Sequence, residues 1–250
     1  MIIISRKYWG INVVNIYFPS NDQLLGAVQG IVGITQASKP LDGLNPLETL
    51  QIDLNKTEAE LFADMKKSTK QQIKQAMKIS HLVYNIASNP SDREIFEFRS
   101  FYNKFAAVKN TYRCRKFNLK TLQLLRDKNS LIISRIIDGE MQETLCYRVY
   151  VYEHNRVTPL YSVSHHLSAD DPQRKRLLSL AHRYLKWKDM LWLKGAGCQL
   201  YDNGGLTNDP NIRKYKIEFG GTIITEYSGY TAGNLLGKTI LALRKLLRKI

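Results

Sequence analysis

The sequence is poor in cysteine and lacks long apolar runs. Its three cysteines, Cys114, Cys146 and Cys198, are far apart and form no Cys-x-x-Cys pair. This spacing argues against both a disulfide framework and a cysteine zinc site, and it fits a reducing cytoplasm. No segment reaches the roughly 18 apolar residues that a membrane-spanning helix needs. The apolar start of the chain is too short for a signal peptide. We expect a cytoplasmic protein that is soluble or peripheral at the inner face of the membrane.

Several catalytic signatures are also missing. None of the five histidines lies in an H-E-x-x-H spacing, and no G-x-S-x-G segment is present, so the sequence predicts neither a metal site nor a serine hydrolase. The segment 233–239 ends in Gly-Lys-Thr, but a phosphate-binding loop needs a glycine where this chain has Ala232. We therefore expect no metal and no permanently bound cofactor.

Positive charge is what the sequence has in excess. Thirty-seven lysines and arginines stand against 22 acidic residues, which gives a formal charge of +15 over 250 residues. With 44% hydrophobic residues the chain has an ordinary globular composition. A globular protein with this charge is expected to meet anionic partners such as nucleic acid, phosphate groups or a membrane surface.

The spacing of apolar residues predicts helices interleaved with strands and hairpins. Predicted strands are 11–18, 47–54, 130–137, 143–152, 160–164, 199–202 and 222–230. Predicted helices are 57–77, 92–104, 119–127, 170–195 and 234–250. This order indicates an α/β or α+β protein with a mixed sheet.

Lysines recur at i,i+4 positions along the predicted helix 57–77. They share one face of that helix, and like charges at this spacing destabilise a helix unless an anion relieves them. The face therefore predicts contact with a polyanion, although a solvated surface is the common explanation of such a run. The predicted polyanion-binding residues are Lys66, Lys70 and Lys74.

The last predicted helix, 234–250, has an apolar stripe that includes Leu236, Leu243 and Leu247, and its opposite side is basic. This form is typical of a helix that lies in an anionic membrane interface. It equally fits a helix that packs on its own protein. Both interpretations remain open.

Glycines and basic residues are concentrated near the C-terminus. Tyr201-Asp202-Asn-Gly204-Gly predicts a strand that ends in an acid and two glycines, where the backbone can pass close to a ligand. A basic cluster, 213–216, precedes a turn with the sequence Phe-Gly-Gly, residues 219–221. The ordinary structural explanation is a glycine loop with solvated lysines.

These segments resemble those of the FemABX-like aminoacyl and acyl transferases, which are built on the GNAT acyltransferase fold. The family pattern is Tyr-Asp-x-x-Gly and then Phe-Lys-x-x-Phe-Gly-Gly; here the second segment, 215–221, begins with tyrosine. A second landmark, Met-x-Lys-x-x-Arg-x-x-Ile-x-x-Ala after an Asp-Leu strand end, matches 65–76 after Asp53-Leu54, with Lys70 in place of the arginine. The resemblance covers about residues 47–230.

The resemblance implies an α/β fold, a GNAT-like mixed sheet flanked by helices. Full family members carry two such units, and this chain is short for two. We expect residues 1–54 to be the remnant of a first unit. Residues 55–250 would form the acyltransferase domain together with the basic amphipathic helix.

The resemblance also implies a site. Lys216 would contact phosphate on the acceptor, or charge derived from the donor, and Tyr215 would line the same cleft. Asp202 is the expected general base or amine-positioning group, with a strand-end acid that binds backbone amides as the alternative. The predicted catalytic residues are Asp202 and Tyr215, and the predicted substrate-binding residues are Lys216, Arg213, Tyr201, Gly204 and His165.

In such a fold one helix offers its N-terminal amides to a phosphate of the donor. That helix begins near Asp170, with Gln173, Arg174 and Lys175 in its first turn. The glycine loop usual for acyl-CoA is absent, because residues 166–176 contain no glycine, whereas the charge favours aminoacyl-tRNA. Both donors remain open.

The expected reaction is acyl or aminoacyl transfer to an amine of a cell-envelope precursor, a peptidoglycan peptide or an amino sugar of a surface polysaccharide. The alternative is a non-catalytic basic protein that binds nucleic acid or a membrane surface. That alternative leaves the Tyr-Asp and Phe-Gly-Gly segments unexplained.

Overall fold

A computed structural model describes residues 1–8, 10–19, 30–166 and 169–247, with side chains described as far as Leu243. The chain forms two compact units. Residues 1–49 and 223–250 make the first unit, and residues 50–222 make the second. Residues 223–250 thus group with the N-terminal strands, whereas the predicted division after residue 54 kept them with the second unit. That the first unit is the remnant of an acyltransferase unit stays a prediction.

Ten strands and seven helices make up the described part of the chain. The strands are β1 (Ile2–Tyr8), β2 (Ile11–Tyr17), β3 (Ile31–Ala37), β4 (Leu44–Asp53), β5 (Leu82–Ala87), β6 (Leu131–Asp138), β7 (Glu143–Glu153), β8 (Arg156–Ser164), β9 (Leu200–Gly205) and β10 (Thr222–Ala232). The helices are α1 (Glu58–Ala63), α2 (Lys67–Met77), α3 (Asp92–Val108), α4 (Lys116–Arg126), α5 (Pro172–Gly195), α6 (Pro210–Ile217) and α7 (Leu235–Leu247).

The first unit is built on mixed strand pairing. β1 pairs with β2 and β3 pairs with β10 in the antiparallel sense, whereas β2 and β3 are parallel. Val14, Ile16, Val32 and Ile34 form its core. These β-branched residues are spaced two apart within each strand, so their side chains point to one face of the sheet.

The second unit places a long helix on a sheet. β5, β6, β7 and β8 pair in sequence order as antiparallel neighbours, and β9 joins β8 in the parallel sense. Leu178, Leu185, Trp187 and Met190 of α5 are buried in the two core clusters of this unit. The predicted α/β class with a mixed sheet is confirmed.

Local chemistry explains several helix boundaries. Thr57 and Glu60 form the expected capping box at the start of α1. The single helix predicted for 57–77 is divided, because Lys66 has an extended conformation and its backbone N–H donates to the Glu218 carbonyl at 3.0 Å. Asp171 caps α5 and Pro172 occupies its first turn, as predicted.

The basic cluster near residue 213 belongs to a helix that the sequence analysis did not predict. The Asp209 side chain caps α6 by accepting from the N–H groups of Asn211 and Ile212, and Pro210 occupies its first turn. This helix presents the Tyr-Lys pair of the second family motif on a regular scaffold. The motif's lysine and tyrosine are therefore held by helix geometry, in place of a loop.

Helix α7 agrees with the predicted C-terminal helix as far as residue 247, and residues 248–250 lie outside the described residues. Leu236 and Leu243 of the predicted stripe are exposed, by 60% and 54%, while the side chain of Leu247 is not described. Contact with an anionic membrane stays a prediction. None of the described helices is both long and apolar enough to cross a membrane.

Candidate functional site

A cavity of about 660 Å³ opens between β8 and β9. The parallel ladder of these strands, among the described residues, ends at the pair Val157–Tyr201. Beyond that pair the cavity is lined by residues 159–162 of β8 and 203–205 of β9. Helices α5 and α6 contribute further lining residues, among them Ser179, His182, Arg183, Ile212, Tyr215 and Lys216. Ligands commonly bind beyond the carboxyl ends of parallel strands, where neighbouring strands diverge.

Arg148 of β7 lines this cavity although its side chain is only 2% exposed. Its Nη2 donates to the Tyr215 hydroxyl at 2.6 Å, and its Nη1 donates to the Tyr201 hydroxyl at 3.4 Å. Tyr201 is itself buried beside Tyr150, with 3.2 Å between the two hydroxyl oxygens. The predicted residues Tyr201 and Tyr215 are therefore joined through an arginine that no sequence motif includes.

His182 of α5 lies beside Ser162 of β8 in the same cavity, with 2.8 Å between Nε2 and Oγ. The imidazole stacks on the Tyr215 ring, with 5.2 Å between centroids and an interplanar angle of 6°. Burial, and then Arg148 and other cations, hold the pKa of His182 well below its usual value. The imidazole is therefore neutral at pH 7 and can accept a proton from a hydroxyl or an amine.

Lys216 of α6 lines the cavity next to the glycines that end β9. Its ammonium donates to the Gly205 carbonyl at 2.6 Å. Burial lowers the pKa of Lys216 to about 8, and Arg148 contributes in the same direction. The group is thus a cation at neutral pH that gains from any anion placed near it.

Two further ionisable groups of α5 are fully buried in the core of the second unit. Lys186 Nζ has no hydrogen-bond partner among the described residues and lies 3.8 Å from the centroid of Phe219. Burial lowers the pKa of Lys186 well below its usual value.

Asp189 accepts hydrogen bonds from Tyr150 at 2.6 Å and Tyr84 at 3.0 Å, and burial raises its pKa to about 6. The tyrosine bonds tie the helix to strands β5 and β7.

Asp202, the expected general base, is fully buried and is not among the residues that line the cavity. Its carboxylate accepts from Arg156 at 2.7 Å, from Gln51 at 3.1 Å and from the backbone N–H of Gly204 at 2.7 Å. Gly204 has φ +67°, a conformation that favours glycine. This geometry favours the alternative of a strand-end acid that fixes the turn, and a role as base stays a prediction.

The structure brings some of the predicted substrate-binding residues together and separates others. Gly204, Tyr215 and Lys216 line the cavity, whereas Arg213, also on α6, is not among its lining residues. His165 lines a different cavity of about 810 Å³, where its ring contacts Phe101 with 4.2 Å between centroids.

The predicted donor-phosphate residues begin α5, and one of them, Arg174, also lines that second cavity. The Asp171 carboxylate accepts from the N–H groups of Gln173 at 3.2 Å and Arg174 at 2.8 Å. The Arg174 guanidinium pairs with Glu143. A donor phosphate at this helix end would have to replace the Asp171 carboxylate, so binding through Gln173, Arg174 and Lys175 stays a prediction.

The lysine face belongs to α2 and its first flanking residue. Lys66 and Lys74 are exposed, and Lys70 is partly buried with its ammonium 3.1 Å from the Ala63 carbonyl. The Lys74 ammonium lies 5.7 Å from the centroid of the Phe62 ring. Neither of these two contacts is with an acidic group, so both ammonium groups can still attract an anion. Polyanion binding stays a prediction.

No family model and no curated protein matches this sequence. Solved structures match it by fold. FemX superposes with a TM-score of 0.62 at 10% sequence identity, over 96% of this chain and 85% of FemX. The chain has the fold of FemX. A C-terminal domain assigned to a lysylphosphatidylglycerol synthetase from Agrobacterium fabrum gives a TM-score of 0.58 at 14% identity, over 97% of this chain and 83% of that one. L-PGS from Bacillus licheniformis gives a TM-score of 0.54 at 14% identity, over 99% of this chain and 86% of that one.

The FemX-like fold confirms the resemblance found in the motifs at the level of architecture. The geometry of the cavity adds three residues that the sequence analysis missed, on three elements that no motif connects: Arg148, Ser162 and His182. His182 had one local signal, since it lies in the predicted helix 170–195 among apolar residues. Among the described residues no group of three His, Cys, Asp or Glu side chains is placed to hold a metal ion.

Proposed function

We propose that this protein is an acyltransferase that moves an aminoacyl or acyl group from aminoacyl-tRNA or acyl-CoA to an amine of a cell-envelope precursor. The observation that carries the proposal is the neutral His182 imidazole beside the Ser162 hydroxyl in a cavity lined by Arg148, Arg183 and Lys216. Two further observations support it: the FemX-like fold and the likeness to a domain assigned to a lysylphosphatidylglycerol synthetase.

Amine acylation needs three things from a protein: orientation of the two substrates, removal of the amine proton and stabilisation of a tetrahedral oxyanion. The amine nitrogen attacks the donor carbonyl carbon, and the carbon–sulfur bond of a thioester or the carbon–oxygen bond of a ribose ester then breaks. The leaving sulfur or oxygen takes up the proton that the amine has given to the protein. We assign the proton to His182 Nε2, directly or through the Ser162 hydroxyl that now occupies it. Because the imidazole is neutral at pH 7, no prior deprotonation of the protein is required.

Lys216 and Tyr215 supply the cationic and hydroxyl donors of the cavity. The Lys216 ammonium is suited to a developing oxyanion or to a substrate phosphate, because its partial burial leaves it incompletely solvated. The Tyr215 hydroxyl accepts from Arg148 at 2.6 Å and donates to the His182 backbone carbonyl at 3.4 Å. A substrate anion would replace that carbonyl as the acceptor, and the bond from Arg148 makes the hydroxyl a better donor through cooperative polarisation. In this proposal the Asp202 carboxylate holds the turn at Gly204, so replacing Asp202 would change the shape of the cavity.

The experiment is mass spectrometry of a panel of amine acceptors incubated with acyl-CoA or with charged tRNA. The panel includes a peptidoglycan stem peptide, an amino sugar and a simple dipeptide. Product with one donor and not the other decides between the two donors. Salt-sensitive binding of tRNA or vesicles without any product supports the non-catalytic alternative and contradicts the proposal.

A matched pair of variants tests the assignment to His182. His182→Asn should lower kcat by about 10²- to 10⁴-fold, the range for a lost general base. His154→Asn is the control, because His154 is an exposed residue with φ +39° in a turn, a conformation that asparagine tolerates. Equal kcat values for the two folded variants would show that His182 does not take the proton.

A further inference from the structure

Arg148 is a buried arginine of the second unit that has no carboxylate partner among the described residues. Other partly buried arginines of this unit pair with acids: Arg126 with Asp92, Arg135 with Glu97, Arg156 with Asp202, Arg174 with Glu143 and Arg183 with Glu218. Arg148 donates instead to the hydroxyls of Tyr201 and Tyr215, and its Nε has no partner among the described residues.

The surroundings of Arg148 are rich in basic side chains. Lys186, Arg183 and Lys216 are close enough to influence one another's ionisation or that of His182. The buried acids near this cluster have other partners: Glu218 pairs with Arg183, and Asp202 pairs with Arg156. Asp189 is bonded to two tyrosines and forms no ion pair with Arg148 within 4.0 Å. A buried guanidinium whose charge no carboxylate balances is destabilised by its removal from water. The pocket is therefore built to be completed by an anion from outside.

We propose that Arg148 binds a carboxylate of the amine acceptor, so that the acceptor is an amine that also carries a free carboxylate, as an amino acid or a peptide does. This inference rests on the proposed function and adds the class of acceptor to it. The guanidinium lines the cavity that also holds His182, so one small molecule can reach both groups. A carboxylate bound by Arg148 would orient the amine toward the proton acceptor.

A carboxylate fits the site better than a phosphate does. Each Nη atom of Arg148 donates one N–H to a tyrosine hydroxyl, which leaves the second N–H of each Nη for a planar acceptor that reaches the guanidinium from the cavity. A carboxylate brings one negative charge and neutralises the guanidinium. A phosphate dianion carries one negative charge more than the guanidinium balances.

The test is direct binding to the full chain, without a donor, by isothermal titration calorimetry. The probes are glycylglycine, glycylglycinamide and inorganic phosphate, and the first two differ only in the carboxylate. We expect the acid to bind about 10- to 100-fold more tightly than the amide, the range for removing one charge-assisted bidentate interaction. Equal binding of acid and amide, or phosphate binding that exceeds that of the acid, would overturn the proposal.

Two variants assign the effect to the residue. Arg148→Gln should reduce the difference between acid and amide to less than about threefold, and Arg148→Lys should restore part of it. Arg135→Gln is the matched control, because Arg135 also donates to a tyrosine hydroxyl, that of Tyr147 at 3.1 Å, but already pairs with Glu97. Arg135→Gln should keep the full difference in affinity between the acid and the amide. Undiminished preference for the acid in folded Arg148→Gln protein would overturn the assignment.

The outcomes separate this inference from the proposed function. Binding of the acid through Arg148 with no product from either donor contradicts acyl transfer and leaves the carboxylate site standing. Equal turnover of acid and amide acceptors contradicts the carboxylate site and leaves acyl transfer standing. Should Arg148→Gln fail to fold, the comparison of acid and amide on the unaltered protein still decides whether the cavity selects a carboxylate.

Discussion

Replacing Lys216 with methionine should stabilise the protein near neutral pH while weakening its site. The ammonium is partly buried, and burial lowers its pKa from 10.5 to about 8. At 1.36 kcal/mol for each pKa unit, this difference corresponds to about 3 kcal/mol of destabilisation of the folded, charged state. Removing the hydrogen bond to the Gly205 carbonyl costs about 1 kcal/mol. The net expectation is a gain of about 2 kcal/mol for Lys216→Met at pH 7.

The direction of the pKa shift of Lys216 determines how the stability difference changes with pH. In the folded protein the lysine has the lower pKa, so the unfolded chain binds the proton more tightly. The penalty is therefore fully present below pH 8 and disappears as the pH rises from 8 to 10.5. The advantage of Lys216→Met should be largest at pH 7 and should vanish near pH 10.

Urea unfolding at pH 7, 8, 9 and 10 measures this difference in the free energy of unfolding. Lys214→Met is the control, since Lys214 is an exposed lysine of the same helix, and its effect should be small at every pH. A stability difference between Lys216→Met and the unaltered protein that does not change with pH would refute the reasoning. The same variant should raise the KM of the acceptor, because an interaction kept alike in ground and transition states contributes to binding.

Three further perturbations test other parts of the structure. Gly221→Ala should destabilise the second unit by more than about 2 kcal/mol in urea unfolding, because φ is +109° and a Cβ would lie 2.5 Å from the Gln51 carbonyl oxygen; a smaller effect would mean that the turn can move. Asp202→Asn should lower the free energy of unfolding by about 3 kcal/mol, since it removes the buried carboxylate charge that pairs with Arg156; an unchanged stability together with a 10²-fold or larger decrease in kcat would instead identify Asp202 as the base. Changing Lys66, Lys70 and Lys74 of the lysine face to glutamine should lower the log–log salt slope of tRNA binding by almost one for each phosphate that the protein no longer neutralises; an unchanged slope in folded protein would indicate a solvated face.

The sequence predicted those features that depend on neighbours along the chain. The capping box at Thr57, and Asp171 followed by Pro172, are local hydrogen-bonding signals, and both occur where expected. The same chemistry at Asp209-Pro210 begins α6, but the short basic segment that follows has no buried residue to give a helical apolar period. This is why the helix was not predicted.

The candidate site was predictable only in part, because it is assembled from distant segments. Tyr215 and Lys216 were found through a motif, whereas Arg148, Ser162 and His182 come together only when β7, β8 and α5 pack in the second unit. No spacing in the sequence indicates that Arg148 has no carboxylate partner among the described residues. That property depends on which carboxylates the fold brings near each arginine, and it becomes visible only in three dimensions.

The division of the chain into units has a consequence for synthesis on the ribosome. The second unit is one unbroken segment, 50–222, whereas the first is made of residues 1–49 and 223–250. The ends of the second unit are neighbours, since Gly221 lies against the Gln51 carbonyl. This unit therefore has all of its parts once residue 222 has left the exit tunnel, and it can fold during translation. Strand β3, although made early, must wait for its antiparallel partner β10. A chain that ends directly after residue 222 would thus have a complete second unit and an unpaired edge at β3, which is exposed to aggregation.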